Sequence, residues 1–167
     1  MTTRIYIPRE TTASSLGAEL LVDSIVAEAA SRNLDIEIVR NGSRGACFLE
    51  PLVEIETDKG RLGYGPVELE DIADLFNADF LNGGSHKLAL GDVSALPWFA
   101  SQERLTFARC GLIAATSVAE YKSLGGFTGL ENAIAKDSKA IIQEVLDSGL
   151  RGRGGAAFPT GIKWQTV

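Results

Sequence analysis

One histidine and two cysteines among 167 residues leave this chain poor in the side chains most used for metal and nucleophile chemistry. His86 has no second imidazole with which to share a metal or relay a proton, so a histidine cluster or a histidine-driven nucleophile has little material here. Cys47 and Cys110 lie far apart with no other thiol in the chain, which gives neither a disulfide framework nor a ligand spacing; both read as small buried hydrophobes. No apolar run is long enough to span a bilayer, and Met1-Thr-Thr-Arg-Ile-Tyr-Ile-Pro8 has no apolar signal core. Membrane insertion is therefore not expected, and the cytoplasm is the expected location. Basic residues are outnumbered, 16 Lys and Arg against 22 Asp and Glu, for a net charge of −6, which argues against a nucleic-acid partner.

What is present divides into two patterns. Ile5 and Ile7 alternate with polar neighbours as a first strand, and Ala18, Leu21, Val22, Ile25, Val26 and Ala29 then mark one helical face. Asp35 to Val39 follows as a second strand, parallel to the first across a βαβ crossover. Leu52 to Thr57 and Arg61 to Gly65 form a hairpin around Asp58-Lys59-Gly60, and Leu69, Ile72, Leu75 and Phe76 place a helix after it. The predicted class is α+β: a thioredoxin-like βαβ-ββα domain over residues 1–98, with 81–104 as a linker carrying one turn or short strand. Thiol redox chemistry in such a domain needs a Cys-X-X-Cys pair or cluster cysteines, and neither exists here.

From 99 to 167 the expectation is a small helical segment. Ser117-Val-Ala-Glu120 and Thr128-Gly-Leu-Glu131 fit the capping-box pattern with Gly125-Gly126 between them, and a third helix starts at Asp137-Ser138 and ends at Gly149. It leads into Leu150-Arg-Gly-Arg-Gly-Gly-Ala-Ala-Phe-Pro-Thr-Gly-Ile-Lys163, rich in glycine and arginine and free of acids. Gly152-Arg-Gly154-Gly155-Ala-Ala157 fits G-x-G-x-x-A, yet a helix rather than a strand precedes it and no acid follows at the ribose distance, so it is not the Rossmann turn. Nor is it a P-loop, because Ile162 separates Gly161 from Lys163. Two readings stay open from the residues alone: an anion-holding loop, and a solvated turn between helices.

The stretch from Ser148 to Trp164 closely resembles the flavin-binding signature of the NADH-oxidising flavoprotein subunit of bacterial complex I and its relatives in hydrogenases and formate dehydrogenases, a likeness that extends over residues 104–167. Gly-Gly-Ala-Ala-Phe158, with Ala157 where complex I members carry glycine, looks more like the formate dehydrogenase branch, and the first half resembles the thioredoxin-like part fused ahead of the flavin domain there. The resemblance implies an NAD-dependent oxidoreductase subunit, a diaphorase, moving electrons between NAD(H) and FMN and on to iron–sulfur clusters. Gly152, Arg153, Gly154, Gly155 and Lys163 would bind FMN, and Phe158 would stack near the NAD(H) adenine; no residue here is expected to be catalytic or to hold a metal. A 4Fe-4S cluster is expected only in a further C-terminal region, and no 2Fe-2S cluster in the first domain, where Ser43 and Cys47 fall at two ligand positions and the other pair is missing. Implied partners are an iron–sulfur subunit and a formate-oxidising or hydrogenase subunit; the isolated chain is expected to be inactive. The competing expectation is a non-catalytic module that docks other subunits of a redox complex.

Overall fold

A computed structural model describes residues 2–58 and 60–167. They fall into two compact units, Met1–Tyr121 and Lys122–Val167. In the first, β1 (Thr3–Tyr6), α1 (Thr11–Ser15), α2 (Ala18–Ser31), β2 (Ile36–Val39), β3 (Val53–Thr57), β4 (Gly60–Tyr64), α3 (Ile72–Asn77), β5 (Ala89–Asp92) and α4 (Pro97–Ala100) follow one another. The sheet order is β2-β1-β3-β4-β5, with β1 and β2 parallel and every other pair antiparallel. This is the mixed α+β, thioredoxin-like arrangement predicted above, with β5 added beside β4 out of the segment expected as linker. Lys59 of the hairpin turn, like Met1, lies outside the described residues; the turn's flanks pair Thr57 with Gly60.

Strand alternation gives the sheet two unlike faces. Ile5, Ile7, Val53, Ile55 and Tyr64 pack with Leu21, Ile25 and Ala29 of α2 and Ile72, Leu75 and Phe76 of α3, a continuous apolar core. Val26, expected on the buried stripe of α2, is exposed instead, so the helix sinks a narrower stripe than its apolar content allows. The other face is ionic. Glu54, with no solvent exposure, takes a bidentate bond from Arg44, 2.7 Å at each oxygen, and a longer contact at 3.7 Å from Arg61. The Arg61 guanidinium also lies 3.4 Å from the centre of the Tyr6 ring, whose hydroxyl donates to Glu56 at 2.8 Å.

Residues 101–121 cross that charged face as a strap held by polar bonds. Asn41 Nδ2 and Arg61 donate to the Gly111 carbonyl at 2.9 and 2.7 Å, and Arg61 also reaches the Leu112 carbonyl. Arg4 donates to Glu120 at 2.9 Å, while the other Glu120 oxygen takes the Ala114 amide at 2.7 Å. That amide first, and Arg4 after it, hold the Glu120 carboxyl below its ordinary range. These bonds tie 101–121 to the first unit, and the division between the two compact units falls inside α5 (Val118–Ser123).

Two further differences have simple causes. α1 has no counterpart in the sequence reading because Thr-Thr-Ala-Ser-Ser has no apolar period; Glu10 caps it, accepting the Thr12 and Ala13 amides at 2.8 and 2.7 Å. The cysteines are not buried hydrophobes: Cys47 is exposed and Cys110 half-buried. Near Cys47, Ser43 donates to Glu50 at 3.0 Å, and burial pushes the Glu50 carboxyl above its ordinary value despite that bond and one from the Leu52 amide. A folded-state pKa above the unfolded value of about 4.3 means the fold loses stability as pH rises through that window. Glu50→Gln is therefore expected to gain stability over the parent between about pH 4 and pH 7. Parallel melting curves across that range would contradict it.

The second unit holds α6 (Thr128–Ile134), α7 (Ser138–Asp147) and α8 (Thr160–Gln165). Asp137 caps α7 through the Ala140 amide at 2.8 Å, as its sequence suggests. The second capping box does not form: Phe127 occupies the cap position of α6 at φ +68°, and the Thr128 hydroxyl turns back to the Gly125 carbonyl at 2.9 Å. Ile141, Ile142, Val145 and Leu146 of α7 are only half-buried, and the one buried residue among those described in this unit is Gly161.

Candidate functional site

Gly149 ends α7 at φ +64°, the left-handed turn foreseen for it. The chain then closes a narrow hairpin. Arg151 pairs with Pro159, the Gly152 amide donates to the Phe158 carbonyl at 2.9 Å, and the Thr160 amide donates to the Leu150 carbonyl at 2.9 Å. These bonds form a neck from which residues 153–157 project. The Lys163 amide bonds back to the Pro159 carbonyl at 3.3 Å, so α8 begins where the neck ends.

Within the tip, the backbone amides of Arg153, Gly154, Gly155, Ala156 and Ala157 have no acceptor among the described residues, and all five residues are exposed. Gly155 sits at φ +112°, which essentially demands glycine. Gly154 has no such φ, and a Cβ there would meet no atom within 4 Å. Nothing inside the chain therefore requires glycine at 154. Ala157 occupies φ +51°, where an L side chain costs roughly 1–2 kcal/mol.

The charges around the tip are uncompensated. Arg151, Arg153 and Lys163 make no ion pair or side-chain hydrogen bond among the described residues, whereas Lys136 of the same unit is paired with Glu144. Phe158 leaves 52% of its surface exposed at the neck. The structure thus gathers Gly152, Arg153, Gly154, Gly155 and Phe158 into one loop and puts Lys163 in the helix that follows. It removes Gly152 from the donors, since its amide is spent on the neck. Five consecutive unpaired amides flanked by cations suit a phosphate. Two hollows of this unit, about 380 Å³ against Ile141, Ile142, Trp164 and Val167 and about 270 Å³ between α6 and α7, are lined by residues outside the loop.

Sequence reasoning missed the neck, the strained Ala157 and the buried Gly161. The Phe-Pro-Thr run before α8 was the available signal for the neck, because proline starts the helix and stops the loop; no local pattern marks the other two. In the first unit, the described residues bring no group of three His, Cys, Asp or Glu side chains together at metal-holding geometry. With two thiols in the whole sequence, a four-thiolate cluster does not fit.

No protein-family model matches the chain. It is similar to the HndC component of the NADP-reducing hydrogenase of Solidesulfovibrio fructosivorans, at 44% identity over 63 residues, 38% of this chain and 13% of the relative. Against the F component of NADH-quinone oxidoreductase it is 51% identical over 47 residues in Streptomyces coelicolor and 48% over 49 residues in Escherichia coli, covering 28% and 29% of this chain. It spans only 10% to 13% of the length of these three oxidoreductase subunits. Among solved structures, the thioredoxin-like [2Fe-2S] ferredoxin from Aquifex aeolicus aligns with 55% of this chain and 98% of its own, at a TM-score of 0.46 and 16% identity. An NAD+-reducing [NiFe]-hydrogenase chain aligns with 98% of this chain over 27% of its own, at a TM-score of 0.38 and 21% identity.

Proposed function

We propose that this chain is the N-terminal part of a diaphorase subunit that moves electrons between NAD(H) and FMN and on to iron–sulfur clusters, in a cytoplasmic NAD-dependent formate dehydrogenase. The observation that carries the reading is the tip of five unpaired amides between unpaired Arg151, Arg153 and Lys163. Gly154 and Gly155 hold the FMN phosphate through backbone N–H groups, and Arg153 and Lys163 supply charge beside it. Gly152 contributes by closing the neck, and the half-exposed Phe158 lies against the NAD(H) adenine. When bound, FMN supplies the hydride and single-electron chemistry. This chain's residues bind and orient; none is assigned a proton to move. Partners are the iron–sulfur and formate-oxidising subunits, with the 4Fe-4S cluster in sequence outside this chain.

The first unit serves here as scaffold, and one observation favours that role: the sheet face left free by α2 and α3 is occupied by salt bridges and the strap, and the cluster ligand set is incomplete. If the loop binds nothing, docking of other subunits is what remains for the chain. Titrating FMN into the protein while following flavin fluorescence tests the assignment. Saturable quenching is expected, reversed by added inorganic phosphate, with riboflavin at least about tenfold weaker, a difference near 1.4 kcal/mol. Equal affinity for the two flavins, or none for FMN, would overturn it.

A further inference from the structure

Gly161, the second residue of α8, is the one buried position among the described residues of its unit, and it faces α7 rather than the loop. A Cβ built there would stand 2.7 Å from Leu146 Cα, 2.7 Å from Cγ and 2.8 Å from Cδ2. Real Cβ atoms do not approach a backbone carbon that closely, so a methyl group must drive the start of α8 away from the end of α7. Those same two ends carry the neck: Leu150 follows α7 by a few residues, and Thr160 opens α8 one residue before Gly161. The Thr160 to Leu150 and Gly152 to Phe158 bonds, both 2.9 Å, tolerate little widening before they break.

We propose that Gly161 is a positioning residue that holds the loop neck shut by allowing α8 to seat directly on the backbone of α7. It touches no ligand. Its effect on flavin rests on the reading of residues 153–157 as a phosphate grip, because an open neck lets the five amides diverge. Helix propensity works in the opposite direction, since alanine favours α8 over glycine. The sign of the effect therefore separates positioning from mere helix stability.

The test compares the 167-residue parent with Gly161→Ala, and with Gly129→Ala as a control, because a Cβ at the helical Gly129 meets nothing within 4 Å. Amide exchange is read at Gly152 and Thr160, and FMN affinity by fluorescence titration. In Gly161→Ala, both neck amides are expected to lose protection at least about tenfold and FMN to bind at least about tenfold more weakly, with the control like the parent on both counts. Should Gly161→Ala lose its helical circular dichroism, a double variant adding Leu146→Ala, which clears two of the three crowding atoms, is measured instead. It is expected to fold with intermediate protection and affinity. Unchanged neck protection in either variant overturns the proposal, and lost protection with unchanged FMN affinity overturns the link to the ligand. If the parent itself binds no FMN, the phosphate reading falls, and the exchange result alone decides whether Gly161 sets the neck.

Discussion

Gly154→Ala is expected to melt at or a few degrees above the parent temperature and to bind FMN at least about tenfold more weakly, a loss of about 1.4 kcal/mol or more. The two halves of this result come from the same geometry. Within the chain a Cβ at 154 meets nothing and the backbone is not left-handed, so the folded state accepts alanine and the unfolded state loses some freedom, a gain of up to about 1 kcal/mol. On the proposed phosphate reading, that Cβ would crowd an oxyanion approaching the amides of 154 and 155. Gly155→Ala makes a poor substitute for this experiment, because φ +112° strains any side chain and mixes stability with binding. Thermal melting and FMN titration of the 154 variant together check it. An unaltered affinity would mean the tip's glycines answer only to loop conformation.

The largest stability effect is expected in the first unit, on β3. Glu54→Gln removes the charge that faces Arg44 at 2.7 Å in a site with no solvent exposure and leaves the guanidinium without its carboxylate. Breaking a buried pair from one side costs about 3–5 kcal/mol, since the surviving charge stays desolvated. In a domain stable by roughly 5–15 kcal/mol that is a large fraction, and the melting temperature should fall by roughly 6–20 °C. Glu37→Gln makes the contrast. Its partner Arg4 lies 3.1 Å away, but the Glu37 side chain is 53% exposed, so a change of about 0.5 kcal/mol or less is expected. Circular dichroism melts of the two variants at one pH settle the comparison; equal losses would mean that burial does not amplify the Glu54 pair.

How much of this is legible in the residues alone depends on the length scale of the signal. The period of Leu21, Ile25 and Ala29, the alternation around Ile5 and Ile55, and the glycine after α7 are local patterns set by backbone geometry, and each element they announce is present. β5 is foreseen only as one turn or short strand within the linker, because Ala89-Leu-Gly-Asp92 has neither alternation nor β-branched residues to fix its place; it pairs because β4 leaves an open edge. The cysteines are misplaced by sequence reasoning because small sulfur side chains are usually buried, and here the turn at 47–49 leaves Cys47 outside. At the loop, composition alone indicates glycines and unpaired positive charge, but not which amide is already spent.

By itself, then, the sequence determined the strand and helix periods, the acid-free glycine loop and the likeness to oxidoreductase subunits, because each is written in neighbouring residues. Tertiary structure alone decided that residues 101–121 strap the charged face of the sheet, that Glu54 lies between Arg44 and Arg61, and that Gly161 sits on Leu146. Those outcomes depend on which distant surfaces meet, and no local period encodes the distance between two helices or the partner of a buried charge.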